Sequence, residues 1–487
     1  MADADATSPR LQCPEEPLAI IQTLQQAGFQ AVLAGGCVRD MLLGRHPHDW
    51  DIATNARPGQ VEALFPRTVA VGRQFGIVIV VSPTGTHYEV ATFRGEADYS
   101  DGRHPDAIQF VEMEEDVKRR DFTVNALLFD PIASRVLDFV GGEADLRRGL
   151  LRAVGVPVQR FQEDRLRLLR AIRFAANLGF ALEESTWEAV KQCAPRLLPA
   201  VSQERIRDEL EKMLLNGASR QAFHLLEKAG LLEIVLPEVA RGRGIAQPPQ
   251  FHPEGDVWQH QLKVLGFLDE TMKRLAPPPN PDTETGEEAI PAALRFNDRG
   301  ELNCATQEER RWLAWGTLLH DVGKPPTYQE AEDRIRFNGH DVEGELVAQM
   351  AMQRLRLDNT TVHHACYLVR RHMEAIHLLQ AKLAKRRRAL QEPLFPLLLE
   401  VVRLDTLASW GNLDAHRQLV QEWREETQRP HPPKPFINGR DLLQRGFHTG
   451  IALGNTLQAC HDYELEHPFP TREEALAWLD QHIASPR

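Results

Sequence analysis

Apolar residues fall into helical spacing close to the start of the chain. Leu18, Ile20, Ile21 and Leu24 share one stripe, which predicts a helix over 16–28. Ala31–Leu33 begins a first strand, and Asp49–Ala53, Ile77–Val81, His87–Phe93 and Ile108–Met113 read as further strands. Short helices at 37–43 and 59–65 fill the intervals. From Arg160 onward, helical patterning dominates almost to the C-terminus. The pattern therefore predicts an α+β chain in which a sheet-bearing head precedes an all-helical remainder. Residues 1–15 are acidic and polar and read as a disordered tail. Ala276–Pro291, rich in Pro and Glu, reads as an insertion within the helical part, and the Pro-rich Thr427–Pro435 as a linker.

At 487 residues and 42% hydrophobic composition, the chain can bury more than one core. No apolar run reaches the roughly 18 residues a membrane span needs. The start, Met1-Ala2-Asp3-Ala4-Asp5, is unlike a signal peptide, and six cysteines without a C-x-x-C pair fit reduced thiols. Together these features predict a cytoplasmic protein. A net charge of −12 argues against diffuse nucleic-acid affinity. Arginines are nevertheless concentrated locally at Arg147, Arg148, Arg152, Arg160, Arg165, Arg167, Arg170 and Arg173.

Asp49 and Asp51 carry the most specific chemistry. On a strand their side chains would share one face, where two carboxylates repel unless a hard cation such as Mg²⁺ lies between them. Gly35 and Gly36 just upstream let the backbone approach an anion ahead of a short helix. Together they suggest two-metal phosphoryl transfer; taken alone, the Asp pair would equally suit a solvated turn. Glu89, on the alternate face of a strand lined by Tyr88, Val90 and Thr92, is a candidate third carboxylate, against the alternative of a strand-edge salt bridge. Asp164, Arg167, Arg170 and Arg173 recur every three residues, so a helix would place them along one side, as it would an ordinary charged face.

Gly35-Gly36, a short helix and Asp49-x-Asp51 resemble the signature of DNA polymerase β-type nucleotidyltransferases. Later blocks resemble the class II branch, which holds tRNA CCA-adding enzymes and bacterial poly(A) polymerases. They are Tyr88–Arg94, Asp101–Pro105, Arg119–Ala126, Asp138–Leu146, Glu163–Phe174 and Ser202–Leu210. The resemblance implies a nucleotidyltransferase head over 16–158 and a base-recognising helical neck over 159–240. It further implies that Asp49 and Asp51 hold Mg²⁺ with Glu89, and that Gly35, Gly36, Arg39 and Asn125 belong to the nucleotide site. Arg120 would grip phosphate, Asp121 would accept from the ribose 2′-hydroxyl, Asp164 and Arg167 would read the base, and Arg170 and Arg173 would reach the triphosphate. The expected partners are tRNA, ATP and CTP, with CMP, CMP and AMP added to a tRNA 3′ end. An A-adding enzyme shares these blocks. A CC-adding enzyme usually lacks the intact loop block, here Arg94, Tyr99 and Asp101–Pro105. A poly(A) polymerase typically has a basic pattern after the Gly72-Arg73 turn and a long basic C-terminus, which Phe75-Gly76-Ile77-Val78 and the acidic tail do not match.

The second half carries His260, His320-Asp321, His340, His372 and Asp405 in order. Thr317–Lys324 and Phe337–Gly344 resemble blocks of the HD-type metal-dependent phosphohydrolases. That resemblance implies a helical metal-binding domain over 241–425 with its insertion at 276–291. Its metal site would be formed by His260, His320, Asp321 and Asp405, with His340 and His372 as further candidates. Such ligands suit a transition ion such as Ni²⁺, Mn²⁺ or Fe²⁺, and the expected substrates are 2′,3′-cyclic or terminal phosphates. A decayed domain kept for tRNA contact is the alternative. Ile437–Leu442 with Gly446, Gly450 and Gly454 resembles the tRNA-binding tail of the same nucleotidyltransferases, over 426–487, although Thr449 stands where Pro is usual. A reading from another class is a phosphohydrolase with a nucleotide-sensing head.

Overall fold

The computed structural model describes residues 11–69, 76–97, 107–278, 289–429 and 435–482. The block at 101–105, Tyr99, the Gly72-Arg73 turn and most of the 276–291 and 427–435 segments lie outside the described residues. Among the described residues, no helix is long and apolar enough to cross a membrane.

The first apolar stripe forms α1 (Glu15–Gln26), one residue ahead of its expected start, and buries Ile20, Ile21 and Leu24. There follow β1 (Ala31–Ala34), α2 (Gly36–Leu42), β2 (Ile52–Thr54), α3 (Pro58–Leu64) and β3 (Thr68–Val69). Next come β4 (Ile77–Val81), β5 (His87–Thr92), β6 (Arg94–Ala97), β7 (Ala107–Phe110) and α4 (Met113–Lys118). β8 (Leu128–Asp130), β9 (Arg135–Leu137) and α5 (Gly142–Arg148) then lead to α6 (Pro157–Glu163) and α7 (Arg167–Leu178). Seven strands pair in the order β3-β4-β5-β2-β1-β8-β9. All pairs are antiparallel except β2 with β5. Near its centre β1 is buried at all four positions, which is why Ala31–Ala34 carries no polar side chain. Val32, Ala34, Ala53, Phe93 and Leu128 pack into one core cluster.

Three local expectations are corrected. Asp49 and Asp51 precede β2 instead of lying within a strand; only the Asp51 carbonyl joins the pairing, accepting from Ala34 N at 3.0 Å. Aspartate fits a pleated ladder poorly. The strand expected to run to Met113 ends at Phe110. Met113 opens α4, whose first turn holds Glu114, Glu115 and Asp116, charges that favour a helix start. Asp164 lies outside any helix, at φ −137° and ψ 107°. Its carboxylate accepts from Leu166 N at 3.0 Å, a local bond that competes with helix continuation and separates α6 from α7. β8 and β9, three residues each, are too short to show alternation in the sequence.

Two compact units result, Met1–Met213 with Gln221–Val235, and Leu214–Arg220 with Leu236–Arg487. Among the described residues, the second unit is helical apart from a hairpin of Gln329–Glu330 with Ile335–Arg336 and two isolated bridges, Ala276 with Cys304 and Phe296 with Leu302. Its most buried helix, Phe395–Ala408, carries Glu400 at 0% exposure. Glu400 accepts from Arg403 Nη2 at 2.7 Å and Nε at 2.9 Å, from Thr271 Oγ1 at 2.8 Å and from Leu302 N at 3.2 Å. Burial opposes its charge, and Arg403 outweighs burial and holds the carboxyl below its usual range. Glu400→Ala is expected to cost about 3 kcal/mol because the buried Arg403 loses its nearest carboxylate and keeps Thr271 Oγ1 at 3.1 Å and Glu301 at 3.5 Å. Denaturant unfolding measures this, and a loss below about 1 kcal/mol would show that the network does not hold the helices together. Farther on, Ile437, Leu442, Phe447, Cys460, Ala475 and Leu479 form a separate small core, with Asn438 and Asp441 making a capping box.

Candidate active site and a helical metal cluster

Gly35 has φ +78°, and a Cβ there would lie 3.0 Å from Arg120 Nη1, so this close approach requires glycine. Beyond it, a cavity of about 710 Å³ is lined by Gly35, Gly36, Arg39, Asp49, Asp51 and Glu89. Arg120, Asp121, Asn125, Asp164, Arg167 and Arg170 complete the set of expected residues in its wall. Arg173 is absent from that wall. It is held by Glu209 at 2.6 Å and lies 4.0 Å from the Phe174 ring centre, so the structure does not bring it to the cavity.

The three carboxylates converge through the parallel β2–β5 pair, where Ile52 faces Val90 and the preceding Asp51 and Glu89 enter the same end. Burial pushes the Asp51 carboxyl up, Asp49 adds to the rise and Arg120 opposes it. Glu89 is likewise raised by burial and by Asp51, and Arg94 opposes the shift. Neighbouring carboxylates, two of them raised despite Arg120 and Arg94, form a hard-oxygen donor set, which fits divalent cations.

Opposite them, Arg39 donates to Asn125 Oδ1 at 2.5 Å and to Asp40. Arg120 is steadied by Asp116 Oδ2 at 3.3 Å. Asp116 also binds Arg119 at 2.8 Å and Arg94 N at 3.1 Å. Asp121 accepts from Arg170 at 2.6 Å and 2.8 Å through one oxygen, and from Phe122 N and Asn125 through the other. Burial opposes the Asp121 charge, but Arg170 wins and holds its carboxyl below the usual range. Arg170 thus clamps Asp121. At the far end, Arg167 donates to Glu163 at 2.7 Å and to Arg119 O at 3.1 Å. Asp164 Oδ2 accepts from Arg205 at 2.8 Å. Asp116, Glu163 and Arg205 are supports that the sequence reading did not single out. Asp116 and Glu163 had a local signal, the i+3 and i+4 spacing of Asp116 to Arg119 and Arg120 and of Glu163 to Arg160 and Arg167, and Arg205 had none.

The helical unit brings His260, His320, Asp321, His340, His372 and Asp405 together. His260 Nε2 lies 3.6 Å from Asp321 Oδ2 and 3.1 Å from Asp405, and His320 Nε2 lies 3.4 Å from Asp321 Oδ2. On the other oxygen, Asp321 Oδ1 lies 3.7 Å from His340 and 4.0 Å from His372. Every imidazole is pinned through Nδ1. His320, His340 and His372 face the carbonyls of Thr317, Phe337 and Val369, and His260 faces Glu254 at 2.6 Å. His320 Nε2 is buried without a hydrogen-bond partner, and His260 Nε2 and Asp321 Oδ2, though ion-paired with Asp405 and Lys324, make no well-aligned hydrogen bond. Convergent donors of this kind fit a bound cation.

Burial and the neighbouring His320 and His340 push His372 down to about 4, a neutral ligand form at pH 7. Burial alone would lower His260, yet Asp405 and Glu254 raise it to about 9. Glu254 and Lys324, whose Nζ lies 2.7 Å from Asp321 Oδ2, were not anticipated. An adjacent cavity of about 440 Å³ is lined by Asp321, Lys324, His340 and Asp405, with Phe251 and Trp410 at its edge.

Three family models match parts of the chain. Residues 31–152 match the poly A polymerase head domain, 179–242 a probable RNA- and SrmB-binding site of polymerase A, and 257–408 the HD domain. The chain is 43% identical over 331 residues to a CCA-adding enzyme of Lactobacillus helveticus, spanning 66% of this chain and 77% of that one. It is 47% identical over 218 residues to the CCA-adding enzyme of Geobacillus stearothermophilus, of which the match spans 53%. The crystal structure of the Bacillus stearothermophilus CCA-adding enzyme in complex with CTP aligns over 96% of this chain and 98% of that one, at 28% identity and TM-score 0.66.

Proposed function

This chain belongs to the family of CCA-adding enzymes, and on that premise we propose that it adds CMP, CMP and AMP to the 3′ end of tRNA using CTP and ATP. The observation that carries the reading is a single cavity holding three carboxylates, a phosphate-sized basic wall and the Asp164–Arg167 pair. Bound at Asp49, Asp51 and Glu89, Mg²⁺ would offset phosphate charge and acidify the attacking 3′-hydroxyl. Arg120 grips phosphate from its seat on Asp116. Asp121, clamped by Arg170, faces the ribose. Asp164 accepts from the exocyclic amine of cytosine or adenine while Arg167 donates to the adjacent ring nitrogen. Uracil and guanine present the reverse pattern. The C-terminal small core is the proposed tRNA-binding tail, and the cytoplasm is the proposed compartment.

Purified protein incubated with tRNAs ending in N, NC and NCC and single labelled nucleotides tests the assignment. CMP should enter the first two and AMP the third. If CTP never labels the tRNA lacking CC, the A-adding reading stands instead. Asp164→Ala is expected to raise UTP or GTP incorporation relative to CTP by about tenfold or more, since lost edge-reading relaxes rejection of analogues. An unchanged nucleotide preference would remove Asp164 from base reading.

A second reading rests on His320 Nε2, buried without a hydrogen-bond partner in the helical cluster. We propose that His260, His320, Asp321 and Asp405, joined by His340 and His372, hold Ni²⁺, Mn²⁺ or Fe²⁺ and serve hydrolysis of 2′,3′-cyclic or terminal phosphates. Such an ion would supply the Lewis acidity and the nucleophilic hydroxide for that hydrolysis. Glu254 orients His260, and Lys324 holds the Asp321 carboxylate.

A further inference from the structure

We propose that Arg205 is a positioning residue for nucleotide selection: it fixes the Asp164 carboxylate in the orientation that accepts from an exocyclic amine. This rests on the base-reading role given above to Asp164 and Arg167.

Asp164 sits in extended backbone between α6 and α7, so no helix constrains its side chain. Two contacts do. Leu166 N donates to Oδ1 at 3.0 Å and Arg205 Nη2 donates to Oδ2 at 2.8 Å. The first is local and moves with the loop. The second comes from the helix Gln203–Leu215, 41 residues along the chain, and is the contact that ties the loop to a separate element. Both side chains are mostly buried, 25% exposed for Arg205 and 19% for Asp164, so water competes weakly for the pair. Arg205 also lines the nucleotide cavity, and its other amino group, Nη1, is buried without a hydrogen-bond partner. The guanidinium is therefore committed to Asp164 alone among the described residues on that side. Arg167 is fixed by Glu163 and by the Arg119 carbonyl, so both readers of the base edge are held from behind.

Selection by hydrogen-bond pattern needs a fixed acceptor. A carboxylate free to rotate can leave its position or take up a proton to donate, and then the carbonyl edge of uracil is no longer rejected. Losing Arg205 should thus act on the choice of base more than on the chemical step.

The test measures kcat/KM for CTP and UTP on a tRNA ending in N, for wild type, R205A, R205K, D164A and the double variant D164A/R205A. Thermal unfolding of each verifies that it is folded. R205A should raise the UTP-to-CTP ratio by about tenfold. R205K, which keeps the charge without the planar fork, should recover part of the selectivity. The double variant should select no worse than D164A alone, because Arg205 acts through Asp164. Relaxed selectivity in D164A with an unchanged ratio in R205A overturns the inference and leaves base reading by Asp164 standing. Additive losses in the double variant also overturn it, because Arg205 would then act elsewhere. An unchanged ratio in D164A removes the base-reading role and this inference with it.

Discussion

Asp51→Ala is expected to lower nucleotide addition by about a thousandfold or more while the protein stays folded. The size follows from losing a metal-holding carboxylate at a phosphoryl-transfer centre, worth several kcal/mol in the transition state, with each 1.36 kcal/mol being tenfold. The expectation for the fold follows from the electrostatics. The Asp51 carboxyl is pushed up by desolvation within the cavity and by Asp49, and Glu89 crowds the same end of the sheet. Removing one of three repelling carboxylates should relieve strain, so the unfolding midpoint should hold or rise slightly in metal-free buffer. Asp49→Ala should behave alike. The two results must be read together in a single-turnover assay with saturating CTP and Mg²⁺. Addition within tenfold of wild type in either variant would remove the two-metal assignment, and a collapsed midpoint would reassign the residue to structure.

Legibility in the sequence followed how local each interaction is. The α1 stripe and the alternation in His87–Thr92 are local patterns, and both elements appear within about a residue or two of their expected bounds. The convergence of His260, His320, Asp321, His340, His372 and Asp405 was legible because Thr317–Lys324 and Phe337–Gly344 resemble the blocks of HD-type phosphohydrolases. What the sequence could not show is the side of Asp321 each ligand takes: His340 and His372 approach Oδ1, and His260 and His320 approach Oδ2. Periodicity misled where a polar residue had a better local bond. The three-residue spacing from Asp164 to Arg173 suggested one helical face, but the Asp164 carboxylate bonds Leu166 N and stops the helix. Arg173 keeps its helical place and turns to Glu209. Supports such as Arg205 behind Asp164 and Glu254 behind His260 depend on tertiary proximity. Neither residue type nor spacing announces them, although each fixes a residue that the motifs do announce.

The helical cluster gives the other large expected effect: His320→Ala combined with Asp321→Ala should abolish both bound transition metal and phosphohydrolase activity, and should leave CMP and AMP addition within about twofold. Asp321 lies at the centre of the cluster. Its two oxygens face four imidazoles, it is 3% exposed, and Lys324 and His320 hold its carboxyl well below the usual range. Burying such a set without a cation leaves polar groups unpaired at about 1–3 kcal/mol each. The wild-type protein should therefore copurify with Ni, Mn, Fe or Co, detectable by elemental analysis, and should hydrolyse a 2′,3′-cyclic phosphate. Chelation should lower the unfolding midpoint of wild type and leave that of the double variant unmoved, since the latter has no site to empty. Addition should survive because the head carboxylates and the helical cluster share no residue. Parallel loss of addition in a folded variant would mean that the two centres are coupled. Absence of bound metal, of hydrolysis with any divalent ion and of a chelator shift would leave the cluster a structural remnant in a tRNA-binding shell.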